Sequence, residues 1–329
     1  MIVLGGVTRL TESGLSIVDW RPISGVLPPL SEAAWRQTFA DYQQFPEYQA
    51  FNSSMDLAAF KRIYWFEYAH RMLGRLIGLV FLVPFIGFLS ARVLPRSLIV
   101  KLWVAFLLGA LQGGLGWYMV QSGLLSNPHV SQYRLTAHLL LAMVIYGFLL
   151  WLAIDLVTAK TARAMGARPG WITACWIAIV LLCMVASGGF VAGTHAGFVY
   201  NTFPTMNGEW WPAEILSLTP IWRNFFENVV AIQFVHRTLA LLVAVSIVGF
   251  WLQILRCDGG PRMRVAAHIL AGALVVQLSL GVATLLLRVP VWLGALHQAG
   301  AVVLFSAAIY ALYARRHSEY RPVRPPAMV

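Results

Sequence analysis

Seven stretches of this sequence stay apolar for long enough to cross a bilayer as helices: residues 64–90, 99–121, 135–156, 171–193, 228–255, 265–287 and 291–314. A hydrocarbon core about 30 Å thick takes roughly 20 apolar helical residues, and a spanning segment must satisfy its own backbone hydrogen bonds. The chain therefore reads as an all-α integral membrane protein. Composition agrees: 59% of its 329 residues are hydrophobic and 11% charged, with mean hydropathy +0.70, outside the range of a soluble domain. Membrane lipid is then its lateral partner.

The net charge of +11 could point to nucleic acid, but its distribution excludes that partner. Arg92, Arg96 and Lys101 share one short connection, Lys160, Arg163 and Arg168 another, Arg256, Arg262 and Arg264 a third, and Arg315, Arg316, Arg321 and Arg324 the tail. Every second connection is basic, which is the positive-inside pattern of cytoplasmic loops. The intervening segments are longer and balanced; residues 8–62 hold five Lys/Arg against six Asp/Glu. The expectation is a multi-pass protein of the cytoplasmic (inner) membrane with its C-terminus inside.

Cysteine chemistry is not indicated. Cys175 and Cys183 lie eight residues apart on one span, about 12 Å along a helix and too far to bridge. Cys257 ends another span, and neither a CxxCH motif nor a zinc-type spacing occurs. At the N-terminus only seven residues precede Thr8-Arg9, too few for the apolar region of a signal peptide.

An internal repeat organises the chain. GGVTRLTESGLS (5–16) matches GGFVAGTHAGFV (188–199), FEYAHRMLGRL (66–76) matches QFVHRTLALL (233–242), LQGGLGW (111–117) matches VQLSLGV (276–282), and RLTAHLLLA (134–142) matches LGALHQAGA (293–301). The reading is an eight-helix architecture of two parallel four-helix repeats, 1–160 and 161–329, related by an axis along the membrane normal. The first helix is truncated. Seventeen residues of span (171–187) precede the second Gly-Gly pair and four precede the first, so an in-frame apolar segment is expected upstream.

The repeat puts histidines on the second and fourth helix of each half: His70, His138, His236 and His297. Each falls roughly 6–12 Å inside its helix, counted at 1.5 Å per residue. One intramembrane histidine is ordinarily a helix–helix hydrogen bond. Four at matching depth and repeat-equivalent positions favour metal or haem ligation, since two histidines on separate helices can hold haem iron from opposite faces. Zinc would need a third ligand close by. His129 and His195 fall in outer loops, His268 near a cytoplasmic end and His317 in the tail; these read as structural or solvated, with a reservation for His195 near the outer mouth. Arg71 and Arg237 follow two of the ligand candidates and Arg134 precedes the His138 helix. Each could pair with a haem propionate or simply snorkel to the interface.

One difference between the copies stands out chemically. Glu67 precedes His70 by three residues, whereas Gln233 occupies that place before His236. Positions three apart share a helix face, and an ionisable group inside a membrane helix normally faces a partner or cavity. A carboxyl there can relay protons or stabilise positive charge; glutamine cannot titrate. The first half reads as catalytic, the second as an electron relay.

Taken together, GGVTRLTESGLSIVDW, EYAHRMLGRLIG, GGFVAGTHAGFVYNTFPTMNGEWWP and the paired histidine helices resemble the haem A synthase family in its alphaproteobacterial and mitochondrial form. The resemblance covers essentially the whole chain. It implies an eight-helix enzyme that oxidises the C8 methyl of haem O to the formyl group of haem A, through two hydroxylations and loss of water. By the same resemblance His70 and His138 flank the substrate haem, His236 and His297 hold a b-type haem, and Glu67 is the essential carboxylate. Haem O synthase and an unidentified electron donor are the implied partners. The oligomeric state stays open, a homo-oligomer included. Some relatives carry a cysteine pair in the first outer loop; residues 8–62 contain none. The rival reading is a bis-histidine di-haem electron carrier, which explains four histidines but not the one-sided Glu67, nor a loop whose Trp20, Trp35 and Trp65 could cover a cleft. A repeat-built transporter explains the symmetry alone.

Overall fold

The computed structural model describes residues 1–20, 24–124, 128–158, 171–256 and 260–317. Within them the chain is nearly all helical: α1 (Ile2–Leu10), α2 (Glu32–Gln43), α3 (Leu57–Ser90), α4 (Arg96–Leu124), α5 (Gln132–Val157), α6 (Trp171–Gly193), α7 (Asn224–Glu227), α8 (Val229–Arg256), α9 (Gly260–Leu286) and α10 (Val291–His317). No strand occurs among the described residues, only an isolated bridge between Met206 and Glu209. Seven helices, α3–α6 and α8–α10, are long and apolar enough to span a membrane. Basic residues 160, 163, 168, 321 and 324, together with Cys257, lie outside the described residues. Cys175 and Cys183 are free.

The expected spans and the observed helices agree closely except at two starts: α9 begins at Gly260 rather than residue 265, and α3 at Leu57 rather than residue 64. Lys61 and Arg62 depress the hydropathy there, yet the turn is well made. Asp56 caps it by accepting from Ala59 N at 2.7 Å, and its buried face packs Phe60 and Tyr64 onto Trp35 and Tyr42 of α2. Such a cap is worth about 1 kcal/mol. Ser31 caps α2 in the same way. The α1–α3 segment is thus a small folded cap with its own aromatic core, and Trp35 belongs to that core, edge-on to Tyr64 at 4.8 Å.

The helices close a ring in which α1 touches α3 and α10, and the remaining neighbours follow as α3–α4–α5–α6–α8–α9–α10. Helix α10 also meets α5 and α6, so these three fill the centre. The main core lies there, around Met143, Ile177, Phe250, Leu270, Leu304 and Phe305. By contrast, only 6% of the most apolar stretch of α3 or of α4 is buried, against 33% in α6 and α10. Apolar residues left outside on this scale require a nonpolar solvent, which makes this a multi-pass membrane protein.

Candidate functional site

Each of the four histidines leans on a glycine of the helix that precedes its own in the ring. A Cβ on Gly5 would lie 3.1 Å from His70 Nε2, on Gly116 3.0 Å from His138 Cε1, on Gly188 3.3 Å from His236 Cε1 and on Gly281 2.9 Å from His297 Cε1. These glycines are the positions that the two halves of the sequence share. Without a side chain, each lets an imidazole tuck between two helices. His70 lies within electrostatic range of His138, and His236 within that of His297.

Two glutamines repeat the same service. The Gln112 amide donates to the His138 carbonyl at 3.0 Å and lies 3.2 Å from both ring nitrogens; Gln277 donates to the His297 carbonyl at 3.1 Å and lies 3.2 Å from Nδ1. Both glutamine Oε1 atoms are buried without a partner, although a buried acceptor normally has one. The matched sequence pattern contained this signal, since Gln112 and Gln277 align.

Glu67 is 3% exposed and fully engaged. Its Oε2 accepts from Ser16 Oγ at 2.7 Å and Ile17 N at 2.8 Å, and its Oε1 accepts from Arg71 Nε at 2.9 Å and a terminal Arg71 nitrogen at 2.6 Å. Arg71 spends its other donors on the carbonyls of Ile17 (2.7 Å) and Asp19 (3.0 Å). The carboxylate therefore ties the start of the cap to α3 one helical turn from His70. Ser16 and Ile17 are half a hundred positions away in sequence, and no local pattern announces them.

The second half builds the same frame differently. Arg237 donates to the carbonyl of Tyr200, the residue aligned with Ile17, at 3.0 Å, and to Thr205 O at 3.2 Å. Gln233 is equally buried, but its amide donates to Tyr200 O at 3.0 Å while its Oε1 stays unpartnered, as does Arg237 Nε. A buried ion pair stands in one half and a neutral amide with idle polar atoms in the other. Arg134 donates to Tyr118 O at 2.7 Å and lies over the Tyr118 ring at 3.7 Å.

Beyond the histidine level, Glu12 and His195 meet. The two occupy aligned positions, and each adopts the left-handed region, with φ of 52° and 57°. The threonine before each, Thr11 and Thr194, donates back to the carbonyl four residues earlier at 2.8 Å. His195 Nε2 is 2.7 Å from an Arg9 guanidinium nitrogen and 3.9 Å from Glu12 Oε1, and its ring packs edge-on to His129 at 5.6 Å. Burial, then Arg9, holds the His195 ring below the usual imidazole pKa. His268 accepts from Trp251 Nε1 at 3.1 Å, and the His317 side chain lies outside the described residues.

Among the described residues no group of three or more His, Cys, Asp or Glu could hold a bare metal ion. What the site offers is histidines in twos on separate helices. That donor set suits a macrocycle that brings its own equatorial nitrogens and asks the protein for further ligands; the unpartnered glutamine oxygens beside those histidines fit the same kind of group.

Residues 1–309 match the family described as cytochrome oxidase assembly protein (COX15-CtaA). A protein of Nitrosospira multiformis named "Heme A synthase" is 50% identical over 314 residues, covering 94% of this chain and 88% of that protein. Proteins of the same name from Rhodospirillum centenum (47% over 323 residues, 97% and 85%) and Parvibaculum lavamentivorans (46% over 310 residues, 94% and 88%) are also similar.

Proposed function

The chain belongs to the haem A synthase family, and from that premise we propose that it converts haem O to haem A. The overall reaction oxidises the C8 methyl group to a formyl group by two successive hydroxylations and loss of water. The observation that carries this assignment is the contrast between two otherwise matched histidine frames: Glu67 paired with Arg71 in one, Gln233 with idle polar atoms in the other.

In this reading two parallel four-helix halves divide the labour. The first half comprises residues 1–160 and the second 161–329, with α1 aligned to α6, α3 to α8, α4 to α9 and α5 to α10. His70 and His138 hold the substrate haem. His236 and His297 would hold a b-type haem, which would supply one-electron redox chemistry when bound. Glu67 presents its carboxyl one turn from His70, where it stabilises positive charge developing on the substrate or receives a proton, with the Ser16 hydroxyl donating to its Oε2. The two bonds that Arg71 donates to Glu67 Oε1 offset the cost of burying that carboxylate. Of the three arginines that could meet a propionate, Arg237 retains an unused donor, Nε, while those of Arg71 are committed to Glu67 and the cap. Haem O arrives from haem O synthase, electrons come from a separate donor, and the protein sits in the cytoplasmic membrane with its C-terminus inside.

Co-expression with a source of haem O, followed by chromatography of extracted haems, tests the reading. Haem A together with haem O is the expected result. Haem B alone would identify a di-haem electron carrier, and an absence of haem would leave a transporter.

A further inference from the structure

A further aligned position also separates the two histidine frames chemically. Ser187 precedes Gly188 against His236, whereas Leu4 precedes Gly5 against His70. Ser187 is 8% exposed, and its Oγ lies 2.8 Å from His236 Nδ1. The same oxygen lies 2.8 Å from the carbonyl of Met184.

The hydroxyl geometry assigns the donor. A serine hydroxyl carries one hydrogen, and a carbonyl can only accept. The Ser187 hydrogen goes to Met184 O, a back-bond of the kind serine makes inside helices. With that direction the hydrogen between Ser187 and His236 is assigned to the imidazole, on Nδ1. That leaves Nε2 of His236 with a free lone pair and a fixed ring orientation. Ligating histidines characteristically donate their other ring N–H to an acceptor in this way, which fixes the tautomer and makes the ligand more basic. At His70 no such partner exists among the described residues. The ring is also turned differently, with Nε2 rather than Cε1 nearest its glycine.

We propose that Ser187 is a positioning residue that locks His236 with Nε2 presented to iron, so that the second half holds its haem as a resident, low-potential group, while the unlocked His70 leaves the first-half haem exchangeable. The proposal rests on the assignment of a b-type haem to His236 and His297. It gives the two halves different tasks for a physical reason: a substrate and product must come and go, and a relay must stay.

The test uses the purified full-length membrane protein with the haem it carries. Redox titration of the low-spin b-type signal and its haem content are compared for wild type, Ser187→Ala, Ser187→Thr and Ser187→Val. Removing the acceptor lowers electron donation from the imidazole, so Ser187→Ala shifts the potential upward and weakens haem retention by about 10- to 100-fold. Threonine and valine are matched in shape and differ in the hydroxyl, so Ser187→Thr restores the wild-type potential and Ser187→Val does not, even where the smaller alanine disturbs packing. Equal potentials in the threonine and valine variants would overturn the proposal. A wild-type protein with no low-spin b-type haem would instead overturn the haem assignment beneath it.

Discussion

At the scale of single residues, the decisive group is a carboxylate that the structure uses twice. Glu67 carries the charge proposed to serve the reaction, and it also anchors Ser16, Ile17 and Arg71. Glu67→Gln imitates the second half at nearly constant volume and keeps one acceptor oxygen. It should lower haem A formation by about 10²–10⁴-fold, the range of a lost acid–base group, with haem O or a partly oxidised alcohol accumulating. Haem content measured on the same purified variant separates chemistry from folding; normal haem A yield would return Glu67 to a purely structural role. The iron ligands give a cleaner contrast. His236→Ala or His297→Ala should each remove the low-spin b-type spectrum without preventing membrane insertion, because axial ligation needs both rings while insertion depends on apolar length. Unchanged spectra in both variants would refute the relay.

At the scale of elements, the cap between α1 and α3 holds a buried acid of its own. Tyr42 donates to Glu47 Oε2 at 3.0 Å and accepts from Asn52 at 2.7 Å, with Tyr42 wholly buried. Burial pushes the Glu47 carboxyl up to about 8, against the opposing pull of the Tyr42 hydrogen bond. A raised carboxyl pKa means the folded cap keeps a proton that the unfolded segment sheds near the ordinary value of 4.5. Stability is therefore full below that value, declines as pH rises, and reaches its floor once pH passes about 8, at roughly 1.4 kcal/mol per pH unit of difference. Limited proteolysis of the cap between pH 5 and 9 should show wild type loosening as pH rises. Glu47→Gln should be flat across the range; a parallel loss in the variant would remove Glu47 as the cause.

At the scale of the whole molecule, the halves lean on each other more than a linker would require. Tyr146 Oη meets Ser306 Oγ at 2.7 Å, Trp151 stacks edge-on to Tyr313 at 5.2 Å, and Gln298 donates to Ile2 O at 2.9 Å. Residues 1–160 and 161–329, expressed as two chains, should accordingly reassemble, with a tagged half retaining the other and a haem signal after purification. Recovery of the tagged half alone would show that the covalent link is needed. Hydropathy made the seven spans legible because lipid imposes one requirement on all of them. It missed the first turns of α3, where Asp56 and the aromatic cap, rather than lipid, hold the helix. The histidines were legible through repetition, since His70, His138, His236 and His297 recur with their glycines. The partners of Glu67 were not, because Ser16 and Ile17 reach it only through the folded cap; Ser187 was hidden by its lack of a polar counterpart at Leu4. The repetition also has a history written into it. If both halves descend from one shorter gene, Glu12 and His195 are two descendants of a single residue, and they now touch each other. In an ancestral pair of identical chains, a position on the two-fold axis could only have faced its own copy. Fusion would release it: with an acid in one half and an imidazole in the other, the two make a contact that no homodimer can encode.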